Sequence, residues 1–411
     1  MHPIPWRRGA LALACLLLSS ASQAAGERIQ LGFKNLEVLG SSTLRGYERT
    51  IDVDSFQWGV SVGVGQFAGV GERTVSPPSI SDIVWTQGLD RSYAGLGNAI
   101  SKPGVATSTF SFLTSNGTGY DPYLTIEAQR ASITGLSFSA GGGQPSVSAS
   151  ETFDLLKLSF RTELLAGQRP TSTPVVVSYD ASNNSVSGSM GRSTSIRGRN
   201  STSGLYLKLG SASSDSWIKG DSTLQGYQSW IALDSAQMGV GVAISHAGGR
   251  VTAVPSFSEL TVTQQLDGAV PAVLANLLAG RTIGEATLVY LETVQNVTRV
   301  VTELRMANVV MSGMSFSSGG DVPSVAESLN FTGYQQTVWE YSGTSAKSSI
   351  VTMGWMGTAG LDSAEAAGSS PPGPAPLPVP EPGTWALMLG GAALLLARRR
   401  GLSPCRPVAP R

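Results

Sequence analysis

Apolar and polar residues alternate along most of this chain. In Leu205-Tyr206-Leu207-Lys208-Leu209 the odd positions are apolar and share one face of an extended strand, and Ile29, Leu31 and Phe33 repeat that spacing near the start. The same alternation marks Trp230 to Asp234, Phe257 to Thr263, Ala286 to Leu291, Val300 to Leu304 and Leu329 to Phe331. These runs are short and Gly, Asn, Asp and Ser separate them, which predicts hairpins and antiparallel pairing. One segment in each half breaks the period. From Pro271 to Ala279 the residues Val273, Leu274, Leu277 and Leu278 fall at helical spacing, with Pro271 suited to a first turn and Gly280 to a C-terminal cap. Leu96 and Ile100 keep the spacing in the first half, where Gly95 and Gly97 weaken the helix. The pattern predicts a mainly β protein: two tandem small antiparallel β-barrels, each with one short α-helix.

The tandem reading follows from a long repeat. Ser42-Thr43-Leu44-Arg45-Gly46-Tyr47 returns as Ser222-Thr223-Leu224-Gln225-Gly226-Tyr227, and Gln57-Trp58-Gly59-Val60 returns as Gln237-Met238-Gly239-Val240, both 180 positions later. Ser79-Ile80-Ser81-Asp82 and Leu89-Asp90 meet Ser256-Phe257-Ser258-Glu259 and Leu266-Asp267 at an offset of 177. Gly135-Leu136-Ser137-Phe138-Ser139 meets Gly313-Met314-Ser315-Phe316-Ser317 at 178, so the small drifts fall in loops. Solenoid units repeat at roughly 20 to 50 residues, so this unit is a whole domain. Two like domains in one chain imply either two binding sites or an assembly of equivalent positions.

Composition narrows the chemistry. Formal net charge is zero and only 14% of residues are charged, which gives no nucleic-acid footprint. The only cysteines are Cys15, in the segment read below as a signal peptide, and Cys405, in the tail after the sorting signal, so no disulfide staples the body of the chain. Without the leader His246 is the only histidine, so Ser-His-Asp or Cys-His catalysis would hang on it alone; in Ser245-His246-Ala247-Gly248-Gly249 it is read as a solvated side chain in a turn, and zinc would need a cluster of His and Cys. Asp52 and Asp54 project from one strand face as an acid pair or calcium site would, yet only Asp54 has a counterpart, Asp234, and position 232 is Ala. Gly59, Gly63, Gly65 and Gly69 lack dinucleotide-loop spacing and are read as bends in a barrel strand or points where a neighbouring subunit's backbone approaches. Trp58, Trp85, Trp217 and Trp230 could form a sugar platform, but strand alternation makes most of them core or interface residues. The hydroxyls of Ser41-Ser42-Thr43 and Asp221-Ser222-Thr223 are expected to fix turn geometry. No catalytic, cofactor-binding or metal residue is assigned, and the chain is not read as an enzyme.

The landmarks resemble a known family. Gly220-Asp221-Ser222-Thr223, Gly226-Tyr227, Trp230-Ile231, Asp234-Ser235, Met238-Gly239-Val240, Pro255 to Val262, Leu266-Asp267, Ala279-Gly280 and Leu304 to Ser315 with Gly319-Gly320 are similar, in order and spacing, to Hcp, the tube protein of type VI secretion systems. The first copy keeps Gly46-Tyr47, Trp58-Gly59-Val60, Pro78 to Asp82, Leu89-Asp90 and Gly141-Gly142-Gly143. The resemblance implies small barrels that assemble as hexameric rings able to stack. Three tandem chains fill six positions, so the expectation is a homotrimer forming a pseudo-hexameric ring. The alternative is a monomeric surface adhesin or polysaccharide-binding module.

Both ends read as addresses. Residues 1–24 form a signal peptide, with Arg7 and Arg8 before an apolar stretch and cleavage expected between Ala24 and Ala25. Barrel 1 is read as 25–198, a linker as 199–203, barrel 2 as 204–358 and a Pro/Ala/Gly-rich spacer as 359–378. Residues 379–401 resemble a PEP-CTERM sorting signal: Val379, Pro380, Glu381 and Pro382, an apolar helix, then Arg398, Arg399 and Arg400, ahead of a tail at 402–411. The apolar run is shorter than the roughly 20 residues of a comfortable span, and the arginines favour the cytoplasmic side. The resemblance implies an exosortase as partner, transient inner-membrane association, and delivery to the surface or extracellular matrix of a Gram-negative bacterium, with exopolysaccharide as a further partner. Typical Hcp proteins lack such a leader, which sets this chain apart from an injection tube.

Overall fold

A computed structural model of the chain describes residues 27–65, 74–103, 106–141, 143–161, 164, 173–188, 198–210, 217–247, 250–342 and 345–356. The signal peptide, the sorting signal with its apolar run, Gly69, Gly142, Cys15 and Cys405 lie outside them. Among the described residues no helix is long and apolar enough to cross a membrane.

The fold is mainly β, and the central strand pairings of the first half recur in the second. In the first copy Arg28–Lys34 lies between Ile51–Ser61 and Ala106–Ser115; in the second, Leu205–Leu209 lies between Ile231–Leu233 and Thr282–Val294. Ser146–Thr152 joins Ile83–Gly88 to the long strand Tyr120–Ser139, as Ser324–Asn330 joins Leu260–Gln265 to Val297–Ser318. Even an irregularity recurs, between Ile133 and Gly135 and between Met311 and Gly313. Helix α1 spans Ser92–Ala99 and helix α2 Val270–Leu278, each preceded by a repeated Leu-Asp whose carboxylate accepts a backbone N–H as the helix opens. Asp90 accepts the Ser92 N–H at 2.9 Å and Asp267 the Ala269 N–H at 2.9 Å.

The repeated Ser-Thr-Leu-X-Gly-Tyr loop has the same geometry twice. Tyr47 N–H reaches the Leu44 carbonyl at 2.8 Å and Tyr227 N–H the Leu224 carbonyl at 2.9 Å. The Ser42 and Ser222 hydroxyls accept the Leu44 and Leu224 N–H groups at 3.3 and 3.2 Å, the local bonds expected of these side chains. Gly46 and Gly226 have φ of 85° and 84°, where a side chain would be strained.

Alternation buries one face of each strand: Ile51, Val53, Leu207 and Leu209 all point into a core shared by both copies. The opposite face differs between copies. In the second, Tyr206, Val289, Leu291, Val300 and Trp339 form a smaller apolar cluster under Tyr227 and Trp230. In the first, Gln30 occupies that face, donating to Asp52 at 2.5 Å and accepting from the Thr50 hydroxyl at 2.6 Å. The histidine expected in a turn, His246, lies instead in a paired strand, Val240–Ala247, opposite Val251 of Arg250–Phe257. Gly248 and Gly249, which suggested the turn, lie outside the described residues.

Candidate functional site: the seam between the copies

The two copies are joined by a continuous ladder. Residues 56–61 of the strand Ile51–Ser61 pair antiparallel with residues 313–318 of Val297–Ser318, in the register Phe56 to Ser318, Trp58 to Phe316 and Val60 to Met314. Val62 N–H extends the ladder to the Ser312 carbonyl at 2.9 Å. Backbone bonds set the register and apolar pairs fill it. Trp58 lies with its ring centroid 5.4 Å from that of Phe316, and Trp58, Val60, Met314 and Phe316 are at most 3% exposed. Aromatic pairs of this kind add about 0.5–1.5 kcal/mol to the area they bury. Gly59 serves close approach: a Cβ there would lie 3.3 Å from the Met314 carbonyl oxygen. The approach expected of a neighbouring subunit is at Gly59 made instead by the other copy in the same chain. A groove of about 350 Å³ opens where the ladder ends, lined by Ser55, Gln57, Ser317 and Ser324 among others.

Helix α2 forms the second half of the seam. Strands Val175–Asp180 and Ser185–Gly188 of the first copy lie against it, and Val75 of the first copy meets its end at Gly280, where an added Cβ would come within 3.1 Å of Val75 Cγ1. Under this cover eight of its nine residues are buried. The segment expected as a linker is tied to the second copy: Arg199 donates to the Ala232 carbonyl at 2.8 Å and pairs with Asp234, while Ser201 Oγ donates to the Leu233 carbonyl at 2.6 Å.

Each half of this seam has a twin that faces outward. By the repeat, Ala236 to Gly241 corresponds to 56–61, and Gly135 to Ala140 to 313–318. Among the described residues, each outward twin is paired along one edge alone: Ser235–Gln237 with Leu260–Gln265 and then Val240 and Gly241 with Phe257 and Ser256, and residues 135–139 with Ser146–Thr152. Val240 is 55% exposed against 3% for Val60, and Phe138 51% against 1% for Phe316, while Met238 and Leu136 are half-buried against the core. On α1, Tyr93 and Ile100 are exposed, and Tyr93 meets Phe138 edge-on at 6.2 Å.

Of the other residues singled out above, Trp58 and Trp85 belong to the core. Trp217 is half-buried between two ammonium groups, Lys208 Nζ at 4.8 Å and Lys219 Nζ at 5.1 Å from its ring. Burial, then Lys219, lowers the Lys208 pKa, with Glu285 opposing. Asp52 is bound to Gln30 and to the Ser42 hydroxyl; partial burial and then Asp52 raise the pKa of Asp54.

Sequence reading missed the buried acids. Glu151 is inaccessible, accepts from Ser108 and leaves Oε2 without a partner, and burial pushes its pKa up to about 8, Asp82 adding to the shift and the Ser108 bond opposing it. Glu327 accepts from Gln264 at 2.8 Å and burial pushes it up to about 7. Burial, then Asp221, raises Asp267 well above the carboxylate range, Glu327 adding to this while the Ala269 N–H and Arg199 oppose it. A Glu on the alternate positions that are otherwise apolar, in Val147, Ala149 and Glu151 and in Val325, Glu327 and Leu329, was the available signal.

Comparison with known proteins accounts for the repeated unit. No curated protein matches the chain. Solved structures match one copy at a time. Hcp1 from Salmonella typhimurium is 15% identical over 39% of this chain and 99% of its own, with a TM-score of 0.31. A structure of a type six secretion system protein gives 16%, 39%, 99% and 0.35 in the same terms. A type VI secretion system effector from Yersinia pestis gives 16%, 37%, 98% and 0.27. The family described as type VI secretion system effector, Hcp, matches residues 28–162 and again 206–341, leaving between the two matches the strands that cover α2. The chain therefore belongs to the Hcp family and carries two of its domains in tandem.

Proposed function

We propose that this is an exported, non-enzymatic structural protein in which two Hcp barrels occupy adjacent positions of a ring, three chains completing a pseudo-hexamer. The in-chain seam is the observation that supports it. A surface on one copy meets a different surface on the other, and a heterologous contact of this kind leaves both complementary surfaces free at the ends of the pair, so that it propagates until a rotation closes it. Light scattering on residues 25–359 tests this: the mass of three chains is expected, and single chains at high concentration would sink it.

The leader and the PEP-CTERM-like tail assign delivery to the cell surface or matrix, by way of transient inner-membrane association and an exosortase. Mass spectrometry of exported protein should find a start at Ala25 and loss of the residues after the Pro-Glu-Pro box. A protein retaining Arg398 to Arg400 outside the cell would contradict the sorting reading.

A second reading, a surface module that binds exopolysaccharide, is favoured by Trp217 held between Lys208 and Lys219, an indole face beside positive charge. Binding to an acidic glycan that drops on Trp217→Ala, in a preparation without rings, would support it over the scaffold.

A further inference from the structure

We propose that the ring closes, and reopens, at a second and weaker copy of the in-chain seam, made when residues 236–241 of one chain pair with residues 135–140 of the next. This rests on the ring reading above and specifies its partner surface. Both edges lack a second strand partner among the described residues, and both expose the side chains that their twins bury at the seam: Val240 at 55% and Phe138 at 51%. Carrying the in-chain register across by the repeat sets Gln237 opposite Ser139, Met238 opposite Phe138 and Val240 opposite Leu136.

The occupant is a second copy of this chain because the contact already exists once. Trp58 against Phe316 becomes Met238 against Phe138, and the repeated Gly239 leaves the same space for a facing backbone as Gly59. The two seams are unequal. Trp is the residue type most enriched among binding hot spots, and the outer seam has Met in its place. The helix beside it, α1, contains Gly95 and Gly97 and offers Tyr93 and Ile100 where α2 offers an apolar surface that is buried nearly throughout. A ring of three chains thus has three permanent seams and three that separate on dilution, and it falls apart into whole chains.

Cysteine pairs in the full chain test the placement, with Cys15 and Cys405 changed to Ser and the protein held in mild detergent. Antiparallel partners lie about 4.5–5.5 Å apart at Cα, within disulfide reach. Gln57→Cys with Ser317→Cys should close within one chain and serves as the control. Gln237→Cys with Ser139→Cys should give covalent species of two and three chains and none larger. Products beyond three chains would overturn closure. A three-chain mass by scattering without this cross-link would overturn the placed contact and leave the ring reading standing; single chains throughout would overturn both. Met238→Trp should lower the concentration at which rings dissociate by roughly tenfold or more, the equivalent of about 1.4 kcal/mol, and Phe138→Ala should raise it by a similar factor. An unchanged midpoint in Met238→Trp would overturn the account of why the outer seam is weak.

Discussion

Helices α1 and α2 occupy the same place in two copies of one fold, yet three of eight residues are buried in the first and eight of nine in the second. Strand order cannot explain this, because the central pairings are the same in both. The difference lies in what rests on them. The first copy lays two strands and Val75 across α2, while α1 packs on its own long strand and exposes Tyr93 and Ile100. The composition of each helix follows its neighbour: Val-Pro-Ala-Val-Leu-Ala-Asn-Leu-Leu under the two strands, Ser-Tyr-Ala-Gly-Leu-Gly-Asn-Ala where no strand of the other copy lies over it among the described residues. Equivalent positions in a duplicated fold are therefore set by their surroundings in the assembled chain.

The largest test of that contrast is at the ladder. Trp58→Ala should cost about 3–5 kcal/mol in urea unfolding, whereas Met238→Ala at the matching position should cost about 1 kcal/mol or less in the separate chain. Equal losses would mean that the seam adds nothing to the first copy's own core. On the helices, Leu277→Ala should cost about 2–4 kcal/mol and Tyr93→Ala within about 0.5 kcal/mol. A large loss at Tyr93 would show that α1 is covered as well.

The buried acids sharpen the comparison through pH. The ordinary value for Glu151 is 4.5, and burial raises it to about 8 in the folded chain, so the unfolded chain releases this proton first. Its contribution to stability is full below about pH 4.5 and is lost as pH rises through about 8. Glu327 loses its own contribution by about pH 7, and Asp267 adds to the same trend. Thermal melts between pH 5 and pH 9 should show a midpoint that falls with pH in the parent and falls less in Glu151→Gln. A parent midpoint that rises over this range would contradict the burial of both glutamates. The smallest expected effect is Phe138→Ala in dilute single chains, a shift of no more than about 0.5 kcal/mol, with its consequence confined to assembly.

Much of this was legible in the sequence because period and repeat are local quantities. Alternation placed the strands around Ile29, Leu31, Leu207 and Leu209, the spacing of Leu274 and Leu278 placed α2, and the repeated turn carried its own hydrogen-bonding hydroxyls. The repeat also aligned Trp58 with Met238 and Phe138 with Phe316. It could not say which member of each pair is covered, since a half-buried strand and an interface strand share one period. The pairing of Trp58 with Phe316 joins residues more than 250 positions apart, and nothing near either names the other. Glu151 and Glu327 escaped for a related reason: they stand on buried strand faces where alternation expects apolar side chains, and only the packed fold shows that they stay there.

The strands that cover α2 lie between the two regions matched to the family. They make the second copy depend on the first for completion. Separated at the linker, it would present the sticky side of nine largely apolar residues to water and clump, while the first would keep most of its interior. As the chain is synthesised from its N-terminus, the cover is made before the helix that requires it. The order of the two copies along the gene then acts as a folding schedule, and exchanging them would be expected to yield aggregates from the same two domains.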